Sequence, residues 1–148
     1  MWPQERKADW MEIADLLQLA DVNGITIDNF KISGKSFAIE IDGDYYIALN
    51  NNLSGKDLKE VIAHELGHCF TNGFYSPYTA IENIRKIETS ANRWAYKKLL
   101  PPEKVQELAN HEICYYWEIA EETNLSVEFV KKAIEYYVLT GCLKAPEC

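Results

Sequence analysis

Two histidines four residues apart, with a glutamate directly after the first, are the side chains of this sequence best suited to chemistry. They are His64, Glu65 and His68, which form an HExxH pattern. Residues four apart lie on one face of an α-helix, so both imidazoles can bind one metal ion while the glutamate takes a proton from water. Zn²⁺ lowers the pKa of a bound water to about 7. The pattern therefore predicts a zinc site that hydrolyses an amide bond. The alternative is an amphipathic helix with two half-buried histidines, which could have the same sequence pattern.

The segment around this pattern has the features of a helix from about residue 55 to about residue 71. Ser54 and Asp57 stand at the spacing of a capping box, and Asn72-Gly73 is suited to ending a helix because glycine tolerates the left-handed conformation. Apolar residues follow the cap with helical periodicity: Leu58, Val61, Ile62 and Leu66. Both histidines then lie inside the helix, where their side chains share a face.

A third metal ligand is expected from the next predicted helix, residues 84–100, because catalytic zinc usually has three protein ligands. Glu88 lies along the apolar stripe of that helix, where a buried carboxylate needs a partner. The alternative is an exposed Glu88 paired with Arg85 or Lys86. Glu82 competes for the same role, closer to the start of the helix.

Several blocks of the chain, in order, resemble the ImmA/IrrE-type metallopeptidases, which are minimal zinc peptidases of bacteria, phages and mobile elements. The first is the strand-like segment 46–50, and the second is AHELGH at residues 63–68. The most specific is E-x-x-A-N-x-x-A from Glu88 to Ala95, which ends in Leu-Leu-Pro at residues 99–101. Many members carry a further histidine where this chain has Cys69 and its neighbours, and a phenylalanine where it has Trp94.

The resemblance implies a set of roles for the residues that match the family pattern. His64, His68 and Glu88 would bind the metal, with Zn²⁺ as the default, although Mn²⁺, Fe²⁺ or Co²⁺ suit similar ligands. Glu65 would be the general base. The implied substrate is a protein, a helix-turn-helix transcriptional repressor of a phage, a mobile element or a stress response. The alternative is a non-cleaving binding module on the same fold, acting as an anti-repressor or a toxin–antitoxin partner.

Aromatic residues are concentrated in the loop between the two predicted ligand-bearing helices, residues 72–79. They could line the substrate cleft, and a tyrosine hydroxyl could stabilise the oxyanion of the tetrahedral intermediate. Tyr78 and Tyr96 are candidates that spacing alone cannot separate. The alternative is that these aromatics cover the core.

The elements around the motif predict an α+β fold, a minimal zincin-like domain with a small antiparallel sheet. A helix at about residues 5–20 precedes strands near residues 25–27, 37–41 and 45–49, and Asp42-Gly43-Asp44 predicts a hairpin between the last two. The strand Tyr45–Leu49 is either an edge that holds an extended substrate or an interior strand with both edges occupied. Residues 1–148 are expected to form one domain, with a catalytic core to about 101 and a helical subdomain from about 102.

The helical subdomain is expected to contain a short helix at residues 102–110 and a helix pair at about 116–123 and 127–140. The pair vaguely resembles a helix-turn-helix, but basic side chains are scarce and the net charge of the chain is −8. Because an acidic surface repels phosphate backbones, direct binding to nucleic acid is not expected, while a basic protein partner would suit it.

The composition is that of an ordinary globular protein, with 47% hydrophobic and 26% charged residues. No apolar run long enough for a membrane span and no signal-peptide pattern is present, so a cytoplasmic location with no membrane partner is expected. The four cysteines show no short paired spacing, which favours reduced thiols. A bridge between Cys142 and Cys148 is the alternative, and Cys69 could be a spare metal contact or a core residue.

Overall fold

The computed structural model describes residues 10–31 and 34–145 of the chain. In order, the elements are α1 (Ile13–Val22), β1 (Thr26–Phe30), β2 (Phe37–Ile41), β3 (Asp44–Asn50), α2 (Gly55–Phe70), α3 (Ile81–Leu99), α4 (Pro102–Asn110), α5 (Tyr116–Thr123) and α6 (Val127–Leu139). The predicted α+β class is confirmed. The first helix begins at Ile13, not near residue 5; residues 10–12 are not helical, and the predicted start lies outside the described residues.

The chain forms two compact units, and the boundary falls within α3, between Ala95 and Tyr96. The first unit, Glu12–Ala95, contains the sheet, α1, α2 and most of α3. The second unit contains the end of α3, the helices α4 to α6 and the described part of Met1–Met11.

The three strands of the first unit form a mixed sheet in the order β1-β3-β2. The predicted hairpin is confirmed: β2 and β3 are antiparallel, and Asp42 and Gly43 both have positive φ, 52° and 86°, as a type I′ turn requires. However, β1 runs parallel to β3, so the prediction of a wholly antiparallel sheet is wrong. The turn specifies only the pairing of β2 with β3. Strand β1 pairs with the other edge of β3, the edge that β2 does not occupy.

The central position of β3 decides how the strand Tyr45–Leu49 is to be interpreted. Both of its edges are occupied, by β1 and by β2, so the edge-strand interpretation is wrong and the interior one is correct. One face of β3 carries the buried side chains of Ile47 and Leu49, and α2 packs against β3 and β2. The opposite face carries partly exposed apolar side chains, including Ile39 and Tyr46.

The active-site helix predicted at about 55–71 is confirmed as α2, although its ends differ in detail from the sequence signals. Ser54 is the N-cap residue, but its side chain makes no capping hydrogen bond, so no capping box forms with Asp57. The residue with left-handed conformation beyond the C-terminus is Asn72, with a φ of 51°, and not Gly73. Asparagine tolerates this conformation better than most residues, so Gly73 is not needed to end the helix.

The three helices predicted for the C-terminal third are confirmed as α4, α5 and α6. The Ser126 hydroxyl accepts a hydrogen bond from the Phe129 backbone N–H at 3.1 Å, which caps α6 as expected. Asn124 ends α5 in the left-handed conformation, with a φ of 55°. The fully buried Tyr137 of α6 donates a hydrogen bond through its hydroxyl to the Leu100 carbonyl at 2.8 Å, so α6 is tied to the end of α3 within this unit.

The cysteines differ in part from the expectation of reduced thiols. Cys69 and Cys142 are free, so the bridge considered for Cys142 is not formed. Cys114 is disulfide-bonded, which contradicts the expectation for that residue. Within the described ranges, no helix combines the length and the apolar character that crossing a membrane would need.

Candidate metal centre

The side chains of His64, His68 and Glu88 meet at one point of the first unit. The Glu88 carboxylate places Oε2 3.0 Å from His64 Nε2 and Oε1 3.1 Å from His68 Nε2. The two Nε2 atoms are 3.2 Å apart, and one ligand atom from each residue lies within 4.8 Å of the others. The i, i+4 spacing on α2 aligns the histidines, and α3 supplies the carboxylate from the neighbouring helix.

A close contact between α2 and α3 brings the carboxylate within reach of the histidines. Gly67, between the two histidines and next to His68, is buried against Ala91, which is itself fully buried. A Cβ atom added to Gly67 would lie 2.5 Å from the Ala91 carbonyl oxygen and 3.0 Å from its Cα. Only glycine fits here, and Ala91 is one helical turn after Glu88. Helices α2 and α3 therefore touch at Gly67 of the HExxH segment and at Ala91 of the E-x-x-A-N-x-x-A segment.

The outer nitrogen of each histidine ring is held by a hydrogen bond that sets how the ring is protonated. His68 Nδ1 is 2.7 Å from the Gly73 carbonyl oxygen, which can only accept, so Nδ1 carries the proton. His64 Nδ1 is 2.7 Å from Asn92 Oδ1 in the same kind of contact. In the neutral rings, both Nε2 lone pairs then point at each other and at a carboxylate. A cation between these three acceptors would offset the repulsion between them.

The donor set fits a zinc ion. Ligands about 2.0–2.1 Å from a tetrahedral zinc lie about 3.3 Å apart, close to the separations found here. Burial lowers the pKa of the His64 imidazole, although the Glu88 carboxylate opposes this shift, so the neutral ring that a metal requires is favoured. A backbone carbonyl on the outer nitrogen, as at His68, is also a usual means of orienting a metal-binding histidine.

Glu65 lies beside this cluster but does not belong to it. Its side chain is only 6% exposed, and among the described residues Oε2 has no hydrogen-bond partner. Burial raises the pKa of the Glu65 carboxyl to about 8, and the nearby negative charge of Glu88 adds to the shift. A buried carboxyl with a pKa near neutrality can both accept and donate a proton at physiological pH. A cation at the cluster would offset the charge of Glu88 and favour the ionised form of Glu65.

The other residues considered from the sequence lie in different environments. Glu82 is exposed in the first turn of α3 and is not part of the cluster. Tyr78 is 97% exposed, while the Tyr96 ring packs against Phe129 and Tyr136 in the second unit. Neither environment assigns an oxyanion role to Tyr78 or Tyr96. Cys69 is buried outside the cluster, and burial raises the pKa of its thiol to about 12.

Sequence reasoning missed the tyrosine that does reach the cluster. The Tyr75 hydroxyl donates a hydrogen bond to Glu88 Oε1 at 2.9 Å, and this bond raises the pKa of Tyr75. The Tyr75 ring also approaches the His68 ring edge-on, with centroids 6.3 Å apart. Through Tyr75, the aromatic loop 72–79 contacts the cluster, while its role in lining a substrate cleft stays a prediction. Which of its residues faces the site depends on the path of the loop, which no periodicity encodes.

The site is of the metallopeptidase type. It combines two histidines on one helix with a buried glutamate beside them and a carboxylate from the next helix. The chain belongs to the Peptidase_M78 family, since the model of that family, described as the IrrE N-terminal-like domain, matches residues 20–135. This confirms the family resemblance of the sequence blocks. Searches of curated proteins and of solved structures gave no match.

Proposed function

We propose that this protein is a zinc-dependent endopeptidase that cuts a peptide bond in a specific protein substrate. The observation that carries the proposal is the convergence of His64 Nε2, His68 Nε2 and the Glu88 carboxylate within 4.8 Å, with Glu65 buried beside them. Three ligands of this kind leave one position of a tetrahedral zinc open, which is typical of catalytic and not of structural zinc.

The chain's own residues divide the chemical work between them. His64, His68 and Glu88 hold the metal, which when bound supplies Lewis-acid polarisation of a carbonyl and lowers the pKa of a water. Glu65 accepts a proton from the attacking water and delivers it to the nitrogen of the leaving amine. Asn92 and the Gly73 carbonyl keep both imidazoles turned towards the metal through their outer nitrogens.

The substrate we propose is a helix-turn-helix transcriptional repressor, as the family resemblance implies. The net charge of −8 favours a basic partner of this kind over nucleic acid itself. An extended segment of the substrate would pair with β2, because β2 is an edge strand and packs against α2. A repressor as substrate would place the enzyme in the cytoplasm.

The metal content of the purified protein tests the proposal, measured by elemental mass spectrometry on the wild type and three variants. We expect about one zinc per chain, lost in His64→Ala and in Glu88→Ala because each removes one of three ligands. Glu82→Ala is the matched control, an exposed glutamate on the same helix, and it keeps the metal.

Two results would contradict this expectation. A wild type that holds no metal even after zinc is added would remove the basis of the peptidase. Zinc retained in Glu88→Ala but lost in Glu82→Ala would transfer the third ligand to the start of α3.

A further inference from the structure

The Tyr75 side chain reaches the proposed metal centre from the loop that joins α2 to α3. Its hydroxyl donates to Glu88 Oε1 at 2.9 Å, whereas Glu88 Oε2 faces His64 Nε2 at 3.0 Å. The two oxygens of one carboxylate are thus in different situations: Oε1 accepts from the phenol and also lies 3.1 Å from His68 Nε2, whereas Oε2 faces the imidazole of His64.

The loop that carries Tyr75 is fixed at several points, so the direction of its hydroxyl is defined. The Gly73 backbone N–H donates to the His68 carbonyl at 2.9 Å, and the Gly73 carbonyl accepts from His68 Nδ1 at 2.7 Å. Phe74 stacks on the Tyr45 ring with centroids 5.5 Å apart. The Tyr45 hydroxyl in turn donates to Asn72 Oδ1 at 3.3 Å. The same short loop therefore orients one histidine through its backbone and contacts the third ligand through a side chain.

The terminal torsion of a glutamate is broad and roughly two-fold, so a free carboxylate can turn and bind a metal through either oxygen or both. A hydrogen bond to one oxygen removes that freedom. We propose that Tyr75 is a positioning residue for the third ligand: its hydroxyl holds the Glu88 carboxylate turned towards the two histidines and, by occupying one acceptor position of Oε1, leaves Oε2 as the oxygen freer to bind the metal. This rests on the metal site of the proposed function.

The test compares Tyr75→Phe with Tyr46→Phe, which removes the same hydroxyl from a partly exposed tyrosine on the outer face of β3. Zinc affinity is measured by competition with a chromophoric chelator, and the geometry of the site by the visible absorption of the Co²⁺-substituted protein. We expect Tyr75→Phe to bind zinc about 10–100-fold more weakly, the usual effect of losing a partner of a metal ligand, with an altered cobalt spectrum. Tyr46→Phe matches the wild type in both.

A double-mutant cycle separates positioning of Glu88 from a general effect on the fold. Titrated with added zinc, Glu88→Ala binds it only weakly through the two histidines, and Tyr75→Phe has no further effect on that weak affinity, because the group that Tyr75 positions is gone. Unfolding of the metal-free Tyr75→Phe variant matches that of the metal-free wild type, since the Tyr75 side chain is half-exposed.

The proposal is overturned if Tyr75→Phe binds zinc as tightly as the wild type and gives the same cobalt spectrum. It is also overturned if the variant loses as much affinity without Glu88 as with it. A wild type that binds no zinc is a different outcome, because it refutes the metal centre itself and the role of Tyr75 with it.

Discussion

Glu65 is the residue at which stability and function conflict most clearly. Its carboxyl is buried, lacks a hydrogen-bond partner at Oε2 among the described residues, and has its pKa raised to about 8. A buried and unsatisfied polar atom usually destabilises a fold by about 1–3 kcal/mol. Such an atom is expected where chemistry needs it, since proton transfer requires a carboxyl that is free to exchange its proton.

Replacing Glu65 with glutamine separates catalysis from metal binding. The amide has nearly the same shape but cannot take up a proton from water, so we expect Glu65→Gln to keep about one zinc per chain and cleave the substrate about 10²–10⁴-fold more slowly. The measurement is electrophoresis of the proposed repressor substrate after incubation with the wild type or with the variant.

The same variant distinguishes the peptidase from a binding module that only sequesters its partner. If the partner still binds Glu65→Gln but is no longer cut, the enzyme is supported. If the gene controlled by the proposed repressor is expressed at the same level with Glu65→Gln as with the wild type, the protein acts by binding and not by cleavage.

At the scale of elements, the site depends on how closely α2 and α3 approach each other. Gly67 and Ala91 form the contact, and one turn before Ala91 the Glu88 side chain reaches the histidines. Phe70, at the end of α2, stacks on Trp94 of α3 with centroids 5.0 Å apart and rings within 8° of parallel. An indole therefore serves as a flat partner at the position where the family usually has phenylalanine.

Adding one methyl group at this contact should disturb both the fold and the metal site. In Gly67→Ala, the new Cβ would meet backbone atoms of Ala91, which cannot rotate away, so the helices must separate. We expect a loss of about 1–3 kcal/mol in the free energy of unfolding and weaker zinc binding. Chemical denaturation and chelator competition measure the two effects.

Gly34→Ala is the control for this substitution, because a Cβ at Gly34 has open space around it. We expect its stability to stay within about 0.5 kcal/mol of the wild type or to rise slightly. Equal stability and zinc affinity in Gly67→Ala and Gly34→Ala would mean that the close contact of the two helices is not needed.

Across the whole molecule, stability is expected to fall at high pH, and Tyr137 of the second unit contributes to that fall. Tyr137 is fully buried, and burial raises the pKa of its hydroxyl above the value of about 10 typical of an unfolded tyrosine. The folded chain therefore keeps a proton that the unfolded chain releases. Its contribution to stability is complete below about pH 10 and is lost as the pH rises further.

Tyr137→Phe tests this assignment through the pH dependence of unfolding. Loss of the hydrogen bond to Leu100 should reduce stability at pH 7 by about 1 kcal/mol, while the decline above about pH 10 becomes shallower. Denaturant titrations between pH 7 and 11 provide the comparison. Tyr78→Phe, which removes a 97% exposed hydroxyl, should keep the wild-type decline, and an unchanged slope in Tyr137→Phe would assign the decline to other groups.

Features that depend on neighbours along the chain could be predicted from the amino-acid sequence. The i, i+4 spacing of His64 and His68 places both rings on one helical face, the Asp42-Gly43 turn specifies the β2–β3 hairpin, and Ser126 caps α6. These follow from backbone periodicity and from the dihedral preferences of single residues, which act within a few positions. The position of Glu88 beside an apolar stripe made it a candidate from the sequence, with Glu82 as the alternative, and Glu88 is the one that lies with the two histidines.

Features that join distant segments of the chain could not be predicted from the sequence and became visible in the folded structure. Nothing in the strand patterns states that β1 pairs with β3 and leaves Tyr45–Leu49 in the interior of the sheet, because alternation of side chains is the same in either arrangement. The selection of Tyr75 over Tyr78 depends on the path of a loop held by Gly73 and Phe74. The role of Gly67 appears only when α3 lies against it, since packing contacts between helices are properties of three-dimensional proximity and not of sequence spacing.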